Sequence, residues 1–158
     1  MLWIRGLIFT VLVPGTVAFY IPRAILSGAP LAGGWWQLGW VPLIAGLVLF
    51  LWCVARFLLA GGTPAPFFVG PLRALVGREP ADLVATGPYR FSRNPMYVGV
   101  LLIIFGQAIL YRSADLATYG LVMWLAFHLV VVFIEEPHLE QVHGAEYERF
   151  RRQVRRWL

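Results

Sequence analysis

Residues 96–134 read MYVGVLLIIFGQAILYRSADLATYGLVMWLAFHLVVVFI. Two apolar runs, Met96–Tyr111 and Ala117–Ile134, flank the short polar link Arg112-Ser113-Ala114-Asp115-Leu116. So short a link makes the two runs antiparallel if both are helical. Each helix rises about 1.5 Å per residue, and the arms are of similar length. Tyr97 and Glu135 therefore return to the same depth, side by side. The hairpin brings together two polar clusters that lie far apart in the chain. One is Gly87 to Gly99, with Tyr89, Arg90, Arg93, Asn94 and Tyr97; the other is Glu135-Glu136-Pro137-His138-Leu139-Glu140.

Two further apolar runs precede the hairpin, about Leu7–Ile21 and Leu38–Leu59. Pro14 should kink the first. A cleaved signal peptide is its alternative reading; a retained span suits a chain whose remainder is itself membrane-embedded. Trp35, Trp36 and Trp40 cluster where the second run begins, as an interfacial aromatic belt does. The composition agrees with a lipid environment. Only 13% of the 158 residues are charged and 59% are hydrophobic, against about 25% charged in a soluble domain. A soluble enzyme, a disordered chain and a disulfide-rich module are thereby excluded. Cys53 is the only cysteine and lies inside an apolar run, where it reads as a small packing or lipid-facing residue.

All 13 basic residues are Arg, and they flank the apolar runs. This is the distribution of headgroup anchors, not of a nucleic-acid face. With four spans, Arg5, Arg56, Arg73, Arg78, Arg90, Arg93 and the five Arg of the tail share one side; Arg23 and Arg112 lie on the other. The positive-inside rule then predicts a bacterial inner-membrane protein with both termini in the cytoplasm. The expected fold is all-α and polytopic, with four transmembrane helices. Residues 1–60 would form an N-terminal two-span region. Residues 61–158 would hold the Gly/Pro-rich segment 61–94, the hairpin and the tail. In the tail, Leu139, Val142, Tyr147, Phe150, Val154 and Trp157 recur every three to five residues among Arg residues, which predicts an amphipathic helix at an anionic surface.

Adjacent carboxylates at the end of a membrane helix must be solvated, paired or used. Glu135 and Glu136 either pair with Arg90 or Arg93, or receive a cation, an amine or a hydroxyl of a bound molecule. Glu135 and His138 have a metal-site spacing, but such sites need matching residues on other helices, and no metal is expected. His128 reads as a packing or interhelical hydrogen-bonding residue.

The clusters resemble the membrane methyltransferase family of isoprenylcysteine carboxyl methyltransferases and phospholipid N-methyltransferases. That family's C-terminal half reads G-x-Y-x-x-x-R-H-P-x-Y-x-G, two spans, E-E-x-x-L, and G-x-x-Y before a basic tail. This chain has Gly87, Tyr89, Arg93, Pro95, Tyr97 and Gly99; Glu135, Glu136 and Leu139; Gly144 and Tyr147. The resemblance covers about residues 80–157. It implies methyl transfer from S-adenosylmethionine to a lipid or other lipophilic acceptor at the cytoplasmic interface. It places the cofactor at Leu83, Val84, Tyr89, Arg93, Asn94, Pro95, Met96, Tyr97 and Glu135. Tyr89 and Tyr97 would offer aromatic faces to the sulfonium or adenine, Arg93 would pair with the cofactor carboxylate, and Glu135 would take its ammonium or ribose. Glu136 is the candidate catalytic base. Asn94 stands where the family often has His and cannot carry a proton. Prenylcysteine-methylating relatives also hold an Arg one turn before the glutamates, where this chain has Leu129-Val130-Val131-Val132; that argues against a prenylcysteine substrate. Two alternatives remain: a sterol-reductase-like membrane oxidoreductase using a nicotinamide cofactor, and a non-catalytic membrane subunit.

Overall fold

The computed structural model describes residues 12–26, 34–63 and 80–158, and among these it is helical, with no strand. Arg5, Arg73, Arg78 and most of the Gly/Pro-rich segment lie outside the described residues, as does the first part of the first apolar run. A π-turn, Thr16–Tyr20, leads into α1, Ile21–Ile25. A 3-10 turn, Trp35–Gly39, opens α2, Trp40–Leu59. After a second 3-10 turn, Gly87–Arg90, come α3, Pro95–Tyr111, and α4, Ala114–Val130. A π-turn, Val131–Glu135, joins α4 to α5, Glu136–His143, and α6 is Ala145–Gln153. Two continuous helices, Trp35–Leu59 and Ala114–His143, are long and apolar enough to cross a membrane; α3 is apolar but shorter.

The hairpin turns in two residues. Arg112, at φ 49°, takes the left-handed position that ends α3. The amides of Arg112 and Ser113 close back on Ile109 O and Ala108 O at 3.1 and 3.0 Å, the Schellman pattern. The Ser113 hydroxyl then caps α4 by accepting from Leu116 N at 3.1 Å.

Helix α3 is the buried centre, with Val100, Ile103, Ile104 and Ala108 packed among Phe50 and Val54 of α2 and Leu116 of α4. Its approach to α2 is set by two glycine pairs. A Cβ on Gly46 would lie 2.5 Å from Gly99 O, and one on Gly39 would lie 2.6 Å from Gly106 O. Small residues at two levels let the backbones meet, as membrane helices need in the absence of a hydrophobic drive. Gly99 of the Tyr97-x-Gly99 motif thus serves packing. The outer faces of α2 and α4 expose Val41, Ile44, Val48, Leu51, Leu121, Val122 and Leu125. Such a surface requires lipid.

Both π-turns have one cause. Each is followed, after one residue, by a proline: Pro22 in α1 and Pro137 in α5. Proline has no N–H, so the carbonyls a turn earlier lose a donor. Near Pro22 the loss is made good from other helices. Gln107 Nε2 donates to Ala18 O at 2.7 Å, and the Tyr119 hydroxyl donates to Val17 O at 2.9 Å. These bonds tie the N-terminal helix to α3 and α4 through polar groups that have no water to turn to.

The tail departs from the expected single amphipathic helix. Gly144, at φ 47°, separates α5 from α6. Beyond α6 the chain is extended at Val154 and returns to the loop before α3, where Arg155 O accepts from Arg93 N at 2.9 Å.

Candidate functional site

The approach segment is anchored on the end of α2. Gly87 has φ 65°, which a side chain tolerates poorly, and a Cβ there would lie 3.3 Å from Arg56 Cγ. Arg56 donates to the Thr86 hydroxyl. The turn that follows buries Tyr89, whose ring meets Phe57 edge-on at 5.6 Å. Burial pushes the Tyr89 phenol well above its ordinary range, so it stays protonated. Cys53 is fully buried, which settles it as a packing residue.

Proline at the first position of α3 starts that helix without wasting a donor. In this turn Met96 joins the cavity lining, and Tyr97 meets α4 and the π-turn after it. The Tyr97 hydroxyl donates to Glu135 Oε1, and its ring tilts against Phe127 at 4.6 Å. The juxtaposition expected from equal hairpin arms is thus a direct bond.

Leu83, Val84, Tyr89, Arg93, Asn94, Met96, Tyr97 and Glu135 line one cavity. Sequence reasoning missed other walls: Phe50 and Phe57 from α2, Phe127 from α4, and Leu139, His143 and Phe150 from α5 and α6. Phe127 and His143 lie eight residues either side of Glu135, a helical spacing that could have flagged them. Pro95 is buried but is not part of the lining.

Glu136 does not line the cavity. Its carboxylate is gripped by Arg156, Nε to Oε1 at 2.7 Å and Nη2 to Oε2 at 2.9 Å. Arg93 Nη1 adds a third contact to Oε1 at 3.0 Å. The hydrogen bond to Glu136 raises the Arg156 pKa further. Both of its oxygens are taken by guanidiniums and it stands outside the cavity lining, so the catalytic role expected of Glu136 does not fit this geometry. The adjacent glutamates do different work: Glu135 joins the cavity wall, Glu136 ties together the loop before α3 and the tail.

Arg93 also donates from Nη1 to the Tyr147 hydroxyl at 3.2 Å, while its buried Nε has no partner among the described residues. Asn94 spends its side-chain amide on Arg156 O at 2.9 Å. His128 accepts a hydrogen bond, but from the extended end of the chain and not from another helix: Trp157 Nε1 donates to its Nδ1 at 3.2 Å. No group of three metal-ligating side chains occurs among the described residues.

The cavity therefore combines aromatic faces, two carboxyl side chains, Asp82 and the phenol-bonded Glu135, and the Arg93 guanidinium. Glu135 and Asp82 contribute carboxyl groups. The Arg93–Glu136–Arg156 cluster, two cations to one anion, contributes a net positive charge. Such a wall suits a ligand that carries both signs.

Sequence comparison gives the site a family. A 61-residue stretch is 32% identical to phosphatidylethanolamine N-methyltransferase B of Dictyostelium discoideum, covering 39% of this chain and 30% of that protein. A 64-residue stretch is 36% identical to an uncharacterized protein of Haemophilus influenzae, covering 40% of this chain and all of that protein. No solved structure matches the chain. The phospholipid methyltransferase family model matches residues 37–146, from the 3-10 turn before α2 into α6. That span includes all of α2 to α5 and every motif at the cavity, and the chain belongs to the phospholipid methyltransferase family.

Proposed function

We propose that the protein is an integral membrane methyltransferase that uses S-adenosylmethionine to methylate an amine on a phospholipid headgroup. The observation that carries this reading is the Tyr97–Glu135 bond in the wall of a cavity that also holds Arg93. The cofactor's amino-acid end is zwitterionic and its sulfonium is cationic. Arg93, a lining residue, fits a carboxylate, Glu135 fits an ammonium or ribose hydroxyl, and Tyr89, Tyr97 and Phe127 offer ring faces to the cation or the adenine. When bound, S-adenosylmethionine supplies an electrophilic methyl group. The chain's own task is to orient and to exclude water, and alignment alone contributes about 7–11 kcal/mol in favourable cases. An ammonium headgroup must lose a proton before its nitrogen can attack. Glu135 and Asp82 are carboxyl side chains lining the cavity, and Glu135, on the wall with Tyr97, is the proposed acceptor of that proton. Family membership favours methyl transfer over the nicotinamide alternative.

The test uses protein reconstituted in vesicles and methyl-labelled S-adenosylmethionine. Label should enter the lipid when phosphatidylethanolamine is present and stay out when phosphatidylcholine is the sole lipid. Cofactor binding without lipid labelling would reject the amine acceptor. Binding of a nicotinamide cofactor in place of S-adenosylmethionine would reject methyl transfer itself.

The proposal includes four spans with both termini cytoplasmic. The Arg asymmetry supports it, as does Arg112, which lies over the Trp36 ring at 5.2 Å and marks the opposite interface. Since native Cys53 is buried, single engineered cysteines report cleanly. Ser113→Cys should react with an impermeant reagent in intact cells, and Glu146→Cys only after permeabilisation. The reverse pattern would invert the topology, and labelling of both in intact cells would remove a span.

A further inference from the structure

We infer that residues 154–157 form a strap that positions the cavity residues Arg93 and Asn94, with Arg156 as its positioning residue. The inference rests on the reading that this cavity binds S-adenosylmethionine. The strap is made by five contacts of two kinds. Its backbone carbonyls receive the loop before α3: Arg93 N on Arg155 O at 2.9 Å, Asn94 Nδ2 on Arg156 O at 2.9 Å, and Ser92 Oγ on Arg156 O at 3.3 Å. Its side chains reach the other arm of the hairpin: Arg156 in a fork on Glu136, and Trp157 on His128. Three residues, Arg155, Arg156 and Trp157, thus staple the start of α3 to α4 and α5.

The fork has a specific consequence for Arg93. Both guanidiniums compete for one carboxylate. Arg156 takes both oxygens, at 2.7 and 2.9 Å, and leaves Arg93 a single contact to Oε1 at 3.0 Å. Two-point pairing is the preferred geometry of Arg with a carboxylate. Without Arg156, Glu136 would draw Arg93 into that geometry. The Arg93 side chain is only 9% exposed, its Nε has no partner among the described residues, and the residue lines the cavity, so where Glu136 holds this guanidinium decides what it offers an occupant. Arg156 touches no ligand itself. It keeps Glu136 occupied and leaves Arg93 available to an anionic group.

The experiment compares Arg156→Gln, Arg156→Lys and Arg152→Gln in detergent-purified protein. Two quantities are read: S-adenosylmethionine affinity and amide hydrogen exchange. Arg156→Gln should weaken the cofactor about tenfold, the scale of one charge-assisted hydrogen bond. It should also speed exchange at residues 92–94 while the interior of α3 stays protected. Arg156→Lys keeps the charge but not the fork, and should fall between. Arg152, 80% exposed with one intrahelical partner, should behave as wild type when changed to Gln. Unchanged affinity and exchange in Arg156→Gln would overturn the strap. If Arg156→Gln does not fold, Trp157→Phe decides: it loses only the bond to His128, and faster exchange at 92–94 supports the strap while unchanged exchange overturns it. A wild-type protein that binds no S-adenosylmethionine would refute the cofactor reading, and the exchange measurement would still judge the strap.

Discussion

Replacing Glu136 with alanine should destabilise the protein by about 3 kcal/mol, the low end of the range for breaking a buried ion pair. The carboxylate side chain is 10% exposed and lies between Arg93, 9% exposed, and Arg156, 34% exposed. Removing it strands two guanidiniums. Arg156 can turn to water and recover part of its solvation, which is why the low end applies. Arg93 cannot. Thermal or denaturant unfolding in detergent measures the loss. Glu135→Gln is the necessary comparison, because it sits one residue away on the same helix. It keeps the side-chain volume and an acceptor for the Tyr97 hydroxyl, so stability should change little. A larger stability loss from Glu135→Gln than from Glu136→Ala would show that the two glutamates have been assigned the wrong way round.

The hairpin was the most legible feature of the chain. Two apolar runs of similar length and a short link sufficed to place Tyr97 beside Glu135, because arm length is set by backbone geometry alone. The π-turn before Glu136 did not spoil that placement. The π-turns themselves were not foreseen. Their cause, a proline that removes an amide, was in the sequence at Pro22 and Pro137, but whether a helix answers with a kink or a wider turn depends on donors elsewhere, such as Gln107 and Tyr119. The tail was misread for a related reason. Apolar residues among arginines from Leu139 to Trp157 have the periodicity of a surface helix. Periodicity cannot show that Arg156 finds a carboxylate 20 residues earlier, or that Gly144 turns the chain. The glycine pairs were visible as Gly39 and Gly46, and Gly99 and Gly106, each seven residues apart. Only the antiparallel packing of α2 on α3 reveals them as reciprocal.

Asn94 shows how a motif residue can change its chemistry and keep a place. It stands where the family resemblance offers His, and its amide donates to Arg156 O. That is work a neutral imidazole N–H could also do. The proton-transfer role that Asn cannot perform is therefore not required at this position for the site to be built. In the proposed mechanism it falls to Glu135, which lines the cavity.

Disrupting the Tyr97–Glu135 pair should have the largest effect on ligand binding. Glu135→Gln and Tyr97→Ala should each weaken S-adenosylmethionine by about 1–3 kcal/mol, the scale of a charge-assisted hydrogen bond or a cation–aromatic contact. Tyr97→Phe separates the two contributions of the tyrosine. It keeps the ring tilted against Phe127 and removes only the hydroxyl that bonds Glu135. If that hydroxyl acts by aiming the carboxylate, Tyr97→Phe and Glu135→Gln should not be additive, and the double variant should bind no worse than Glu135→Gln alone. Additive losses would mean that each side chain meets the ligand independently. Arg149→Ala supplies the baseline, because Arg149 is exposed on α6 and donates only to Ala145 O, one turn earlier. Its affinity should match wild type. Equal losses from Arg149→Ala, Tyr97→Ala and Glu135→Gln would mean that the assay reports the folding of the helices and not a binding site, and the cavity would lose its claim to the cofactor.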